Sequence, residues 1–126
     1  MRLLLDTHAL LWWLLGDRRL PTEAREAIAD ARSVVHVSAA SFWEISIKEG
    51  LGRLDLEGVD LETEVQADGF VELPILCRHA MAAGRLPRHH DDPFDRMLIA
   101  QARTENLTLV TFDRAFRDYQ VQLLPV

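Results

Sequence analysis

The chain has 126 residues, 48% of them hydrophobic, which is enough for one compact domain with a core of its own. Its 14 basic and 20 acidic residues give a formal charge of −6, which argues against a general nucleic-acid-binding protein, because such proteins usually carry a basic surface. A single cysteine, Cys77, excludes an internal disulfide and a cysteine-based metal site, and no apolar run is suited to cross a bilayer or to direct secretion, so we expect a cytoplasmic protein.

The first half of the chain alternates strand-like and helix-like segments. The helix predicted after the first strand ends at Gly16, because glycine is a common residue at helix C-termini. Ser38 is a good N-cap for a longer helix that stops before Gly52. The predicted strands are 2–5 and 34–37, and the predicted helices are 9–15, 23–31 and 39–51.

The second half continues this alternation. Asp92 and Pro93 mark a clear helix start, because aspartate caps helices well and proline suits the first helical turn. The predicted helices are 59–67, 76–83 and 93–105, with one helical turn at 114–117, and the predicted strands are 70–73, 107–111 and an edge strand at 121–124. Strands that alternate with helices predict an α/β fold with a mostly parallel sheet that is covered on both faces.

Four acidic residues occur where strand-like segments give way to helix-like ones: Asp6, Glu44, Asp95 and Asp113. An α/β sheet collects the carboxyl ends of its strands at one edge, where ligands bind. Carboxylates gathered there repel one another, by about 1 kcal/mol per pair at ~4 Å in water and about 4 kcal/mol at an effective dielectric constant near 20. A divalent cation relieves this repulsion. The pattern therefore predicts a magnesium- or manganese-dependent phosphodiesterase.

The first two of these acids also have ordinary structural roles. Asp6 is able to cap the first helix, although Thr7 could cap it instead and leave the aspartate free. Glu44 is four residues before Lys48, a spacing that favours an ion pair on an exposed helix. The apolar and aromatic neighbours of Glu44 indicate that its face of the helix is not fully exposed.

The other two acids have alternatives of the same kind. A carboxylate at Asp95 is favoured by the dipole of its own helix. Since Asp91 and Asp92 already supply negative charge there, we interpret Asp92 as the cap, Asp95 as a ligand and Asp91 as a solvated residue. Asp113 is able to cap the short turn that begins at Arg114, so it is the weaker ligand candidate.

The segment 78–90 is basic and contains no acidic residue. Such a strip is able to neutralise a few phosphates beside an acidic, metal-filled centre, although composition alone slightly favours a solvated helix and loop. His89 and His90 are zinc-type ligands, but adjacent histidines point in divergent directions and no second pair completes a zinc shell.

Four blocks of sequence, 3–12, 37–45, 90–102 and 109–113, together resemble the PIN-domain family, and within it the VapC-type toxins of bacterial type II toxin–antitoxin systems. The resemblance extends over nearly the whole chain. It implies that residues 1–126 form a single PIN-like nuclease domain, a three-layer α/β/α fold around a central parallel sheet. It also implies a Mg²⁺- or Mn²⁺-dependent endoribonuclease that a cognate antitoxin protein inhibits.

The resemblance assigns roles to the acids by position. Asp6, Glu44 and Asp95 match the acidic triad of the family, and Asp113 matches its fourth, more variable acid. Asp6 and Asp95 match the positions most directly associated with the metal. Asp91 occupies a position where we expect a variable and often basic residue.

The expected chemistry is attack by water on a phosphodiester, which leaves 5′-phosphate and 3′-hydroxyl ends. Asp6, Asp95 and Asp113 would hold the cation, and Glu44 would orient or deprotonate the water. Two other classes stay open: a catalytically silent interaction module, and a metal-dependent phosphatase, which typically has a second aspartate where this chain has His8. The apolar segment 10–15 suggests a homodimer.

Overall fold

The computed structural model describes residues 1–124, which form an α/β fold around one parallel sheet. The strands are β1 (Arg2–Leu5), β2 (Val34–Ser38), β3 (Val71–Leu73), β4 (Thr108–Val110) and β5 (Leu123–Leu124). Their order across the sheet is β3-β2-β1-β4-β5, and every neighbouring pair is parallel. The fold class predicted from the sequence is therefore confirmed, with β5 at the edge as expected.

Six α-helices and one 3-10 helix connect these strands within residues 1–124. They are α1 (Thr7–Leu14), α2 (Thr22–Ala29), α3 (Ala39–Gly50), α4 (Leu61–Ala67), α5 (Cys77–Gly84), α6 (Pro93–Thr104) and the 3-10 helix Arg114–Asp118. Within residues 1–124, no helix combines the length and apolar character needed to cross a membrane. Helix α1 starts two residues earlier than predicted, because Asp6 and not Thr7 is its N-cap.

Alternate residues of β1 enter two separate cores. Leu3 and Leu5 belong to a cluster on the face covered by α1 to α4, where Leu10, Ile28 and others pack. Leu4 belongs to a second cluster formed with α5 and α6. This alternation follows from the two-residue period of a strand and produces three layers, with helices on both faces of the sheet.

The carboxyl ends of the central strands lie side by side. Leu5 of β1 is in register with Val37 of β2 and with Val110 of β4. The backbone amide of Asp6 donates to the carbonyl of Val110 over 3.0 Å. Asp6, Ser38 and Thr111, the residues that follow these three positions, therefore share one edge of the sheet.

The segment 10–15 is used mainly inside the chain. Leu10 and Leu11 are buried in the first core, and Trp12, Trp13 and Leu14 are half-buried against it. The core of the chain explains much of the apolar character of this segment, and the homodimer expected from it stays a prediction.

Candidate metal centre

Asp6 is the N-cap of α1, and its carboxyl group is buried. Its Oδ1 accepts a hydrogen bond from the Ala9 amide at 2.7 Å, and the residue is only 5% exposed. Burial raises the pKa of the Asp6 carboxyl, the Thr111 hydroxyl and the Ala9 amide oppose that shift, and the negative charge of Asp113 adds to it. The capping and acidic roles proposed from the sequence are thus compatible, since one oxygen serves the helix.

Thr7 has a different role from the cap considered for it. As the first residue of α1, it donates its hydroxyl hydrogen to the Ser41 hydroxyl of α3 at 3.1 Å. This contact ties the starts of two helices together behind Asp6.

Two of the three acids near the start of α6, Asp92 and Asp91, have the roles that we interpreted from the sequence. Asp92 is the N-cap, and its Oδ1 accepts from the amides of Phe94 and Asp95 at 2.8 and 3.0 Å. Asp91 is exposed to solvent. Asp95 is the third residue of α6, and its side chain is left without a capping function. Its carboxylate is therefore available to the edge of the sheet.

The Asp95 carboxyl has an unusually high proton affinity for an aspartate. Burial raises its pKa, and the negative charges of Asp92 and Glu44 raise it further, to about 7. The neighbouring His90 acts in the opposite direction. Because Glu44 acts electrostatically on Asp95, acids from α3 and α6 approach one another here.

Glu44 is buried, and only one of its two carboxylate oxygens has a hydrogen-bond partner among residues 1–124. The residue is 8% exposed, and its Oε2 accepts from Nζ of Lys48 at 2.9 Å, the pair expected from their spacing. Among residues 1–124, the other oxygen, Oε1, has no hydrogen-bond partner. A buried carboxylate oxygen without a partner is energetically costly, and a bound cation or polar ligand would remove that cost.

Asp113 lies at the outer side of this group. Its Oδ1 accepts from the Ala115 amide at 2.9 Å and so caps the 3-10 helix, the alternative considered for it. Its other oxygen, Oδ2, lies 3.8 Å from Nε2 of His90, and the side chain is 50% exposed. One oxygen of Asp113 thus serves a cap, and the other lies near His90.

His90 joins the acids, which the sequence interpretation did not anticipate. Its Nε2 lies 2.9 Å from Oδ2 of Asp95, and ligand atoms of His90, Asp95 and Asp113 all lie within 4.8 Å of one another. Asp6 and Glu44 are outside this close group, but the negative charge of Asp113 raises the pKa of Asp6 and that of Glu44 raises the pKa of Asp95. The sequence signal that could have indicated this contact is the spacing of His90 and Asp95, which are five residues apart across the start of α6.

The residues fit a hard divalent cation. Oxygen ligands from carboxylates are what Mg²⁺ requires, and Mn²⁺ also accepts them. The like charges that raise the pKa of Asp95, together with the unpartnered Oε1 of Glu44, show a surplus of negative oxygen at one place. A divalent cation would be stabilised by that surplus and would relieve the repulsion.

The basic segment 78–90 does not form a continuous charged surface. Arg78 pairs with Glu105 at 3.0 Å, and His79 is fully buried with its Nε2 2.9 Å from the same carboxylate. Further along the segment, Arg85 is exposed and lines a cavity of about 740 Å³ together with Arg103 of α6. Basic character is thus retained only in the second half of the segment.

An exposed apolar stripe on α3 begins beside the acids. Trp43, Ile47 and Leu51 recur every fourth residue, and Trp43 and Leu51 are each 61% exposed. The Trp43 ring meets the edge of Phe94, which directly precedes Asp95, with ring centroids 5.3 Å apart. Contiguous exposed apolar groups of this kind are typical of protein interaction sites.

Solved structures of known proteins share this fold. VapBC2 from Rickettsia felis, crystallised with a DNA fragment from its promoter, aligns with a TM-score of 0.71 and 15% identity over 98% of this chain and 97% of that one. A toxin–antitoxin complex from Klebsiella pneumoniae aligns with a TM-score of 0.66 and 20% identity over 93% and 92% of the two chains. FitAcB from Neisseria gonorrhoeae aligns with a TM-score of 0.62 and 22% identity over 96% and 95%.

Sequence comparison extends the likeness beyond the fold. The family model described as PIN domain matches residues 3–122. Ribonuclease VapC22 of Mycobacterium tuberculosis is 32% identical over 119 residues, which cover 93% of this chain and 91% of that protein. The chain therefore belongs to the PIN-domain family, as the resemblance of its four sequence blocks implied, and it is a relative of the VapC proteins within that family.

Proposed function

We propose that residues 1–126 act as one Mg²⁺- or Mn²⁺-dependent endoribonuclease domain, a cytoplasmic toxin that a cognate antitoxin neutralises. The observation that carries this proposal is the convergence of Asp95, Asp113 and His90, flanked by the buried carboxylates of Asp6 and Glu44. The likeness to a protein named as a ribonuclease supports the reaction class.

Each acid has a proposed role in this reaction. Asp6, Asp95 and Asp113 would hold the cation with the oxygens that their caps and hydrogen bonds leave available. A divalent cation bound there supplies Lewis-acid stabilisation of the phosphate and lowers the pKa of water. The unpartnered Oε1 of Glu44 would accept a proton from the attacking water.

RNA is the proposed substrate. Water, and not the ribose 2′-hydroxyl, would be the nucleophile, so the products would carry 5′-phosphate and 3′-hydroxyl ends. Arg85 and Arg103, which line one cavity together, would bind phosphates of the RNA strand. For two phosphate contacts on single-stranded RNA, the R85A/R103A double variant should flatten the salt dependence of binding by about 1.4 in log–log slope.

The stripe of Trp43, Ile47 and Leu51 is the surface that we propose for the antitoxin. A partner segment with an apolar face seated there would extend to Phe94 and so cover the acids next to it. The toxin–antitoxin complexes with the same fold support a partner of this kind. The L51E variant should keep its ribonuclease activity and lose inhibition by the antitoxin, whereas the exposed control R53E should keep both.

A direct test uses purified protein and a mixed pool of labelled single-stranded RNA. We expect cleavage that EDTA abolishes and that excess Mg²⁺ or Mn²⁺ restores, with 5′-phosphate ends on the products. D95N should be inactive under all these conditions. RNA that stays intact with every divalent metal would overturn the proposal in favour of a silent interaction module, and hydrolysis of small phosphomonoesters alone would favour a phosphatase.

The homodimer that segment 10–15 suggests is also proposed here, and it has a separate test. Light scattering coupled to size-exclusion chromatography should give about twice the mass of one chain. A mass of one chain across the accessible concentration range would exclude it.

A further inference from the structure

The His90 ring lies between the backbone amide of Asp92 and the carboxylate of Asp95. Asp92 is the N-cap of α6, and Asp95 is its third residue. In a capping box the side chain at the third position turns back and accepts a hydrogen bond from the N-cap amide. Here the Asp92 amide faces Nδ1 of His90 at 3.4 Å, and the Asp95 carboxylate faces Nε2 of the same ring at 2.9 Å. The imidazole has taken the place of the direct contact.

These two contacts fix which ring nitrogen carries the proton in the neutral ring. A backbone amide only donates hydrogen bonds, so Nδ1, which faces it, is the acceptor. The proton is therefore on Nε2, and Nε2–H donates to Oδ2 of Asp95. A nitrogen that carries a proton has no lone pair for a metal, so in this arrangement the imidazole acts on the carboxylate and not on a cation.

The ring is held in place by a second element. It lies edge-on to Phe116 of the 3-10 helix, with ring centroids 6.1 Å apart, and its Nε2 is 3.8 Å from Oδ2 of Asp113. His90 therefore connects the α6 acid to the acid that follows β4. A side chain fixed on both sides is able to hold Asp95 in one orientation.

We propose that His90 is a positioning residue for the metal centre. By donating to Oδ2, it keeps the Asp95 carboxylate from turning back to the Asp92 amide, and it leaves Oδ1 directed to the cation. This inference rests on the proposed function, because it assumes that Asp95 is a metal ligand. Partners of this kind typically contribute 10- to 100-fold to metal affinity, since they orient the ligating group.

The test is Mn²⁺ affinity measured without RNA, from the electron paramagnetic resonance signal of free Mn²⁺. We expect H90A to raise the Kd for Mn²⁺ about 10- to 100-fold. H90Q, whose amide NH₂ replaces the Nε2–H donor, should restore most of the affinity. The neighbouring exposed His89 provides the matched control, and H89A should bind Mn²⁺ like the wild type. Melting temperatures of the metal-free variants show whether each one is folded.

The outcomes separate this inference from the function on which it rests. If D95N weakens Mn²⁺ binding and H90A does not, the positioning role proposed for His90 is wrong, and the proposed metal centre is still supported. If D95N has no effect, or the wild type binds no Mn²⁺, both proposals fail. Nitrogen directly bound to Mn²⁺ in the electron spin echo spectrum of the wild type, absent in H90Q, would make His90 a ligand and overturn the positioning role.

Discussion

Ser38 and Gln101 are joined by a buried hydrogen bond of 2.6 Å that links the start of α3 to the middle of α6. The Ser38 hydroxyl donates to Gln101 Oε1 and at the same time accepts from the Ala40 amide as the N-cap of α3. The Gln101 amide in turn donates to the carbonyl of Pro74. This bond therefore joins the helix that carries Glu44 to the helix that carries Asp95.

We expect the Q101L variant to be destabilised by about 1–3 kcal/mol, because it leaves the buried Ser38 hydroxyl without its acceptor and the Pro74 carbonyl without its donor. Urea unfolding of the metal-free protein measures the change. Gln120 is exposed, so Q120L should stay within about 0.5 kcal/mol of the wild type. A Q101L variant as stable as Q120L would show that the bond contributes nothing to stability.

Replacing Asp6 separates its two roles. D6N keeps an oxygen that is able to accept from the Ala9 amide, and it removes a buried charge, so the metal-free free energy of unfolding should be unchanged or higher. RNA cleavage should be lost. D6A also loses the cap and should be about 1 kcal/mol less stable than D6N. If D6N itself lost 1 kcal/mol or more, the carboxylate would be mainly structural.

The raised pKa of Asp95 gives a pH dependence whose sign follows from linkage. Its pKa is about 7 in the folded, metal-free protein and 3.8 as the ordinary value, so the folded form binds the proton more tightly. The stability that this group contributes is complete below pH 3.8 and is lost as the pH rises to about 7. D95N does not titrate, so its stability relative to the wild type should increase over that range.

Urea unfolding in EDTA at pH 5 and pH 8 measures this difference for Asp95. A cation must also displace the proton, so the affinity of the wild type for Mn²⁺ should fall by about tenfold per pH unit below pH 7. A difference between D95N and wild type that is the same at both pH values would show that Asp95 titrates normally.

Glu44 should matter for rate and little for folding. E44Q keeps the size of the side chain and removes its ability to accept a proton, so kcat should fall by about 10²- to 10⁴-fold. Glu49 lies on the same helix, is exposed and provides the control, so E49Q should cleave at the wild-type rate. Cleavage by E44Q within threefold of wild type would remove Glu44 from the proposed chemistry.

Several local features of this structure could be predicted because they depend on neighbouring residues alone. Asp92 and Pro93 start α6, and Ser38 caps α3, as their residue types require. Thr7 shows the limit of such rules, since Asp6 and Thr7 are both capping residues. The choice between them was made by the Ser41 hydroxyl on α3, which takes up the Thr7 side chain.

The sequence did not predict which side chains from different elements contact each other. His79 and His90 belong to the same basic segment, yet one is fully buried against Glu105 and the other joins Asp95. The direction of each ring depends on what α5, α6 and the 3-10 helix place around it. Composition did not distinguish the two histidines, and packing placed them beside different carboxylates and at different depths.

The sequence by itself determined the alternation of strands and helices, the helix ends to within two residues, and the placement of four acids after or near strand ends, because period, caps and breakers act over a few residues. Only the tertiary structure decided that Leu10 and Leu11 enter the core, that Oε1 of Glu44 is left without a partner among residues 1–124, and that His90 stands between Asp92 and Asp95. Those outcomes depend on the register of parallel strands and on helix packing, which bring together residues that no local rule connects.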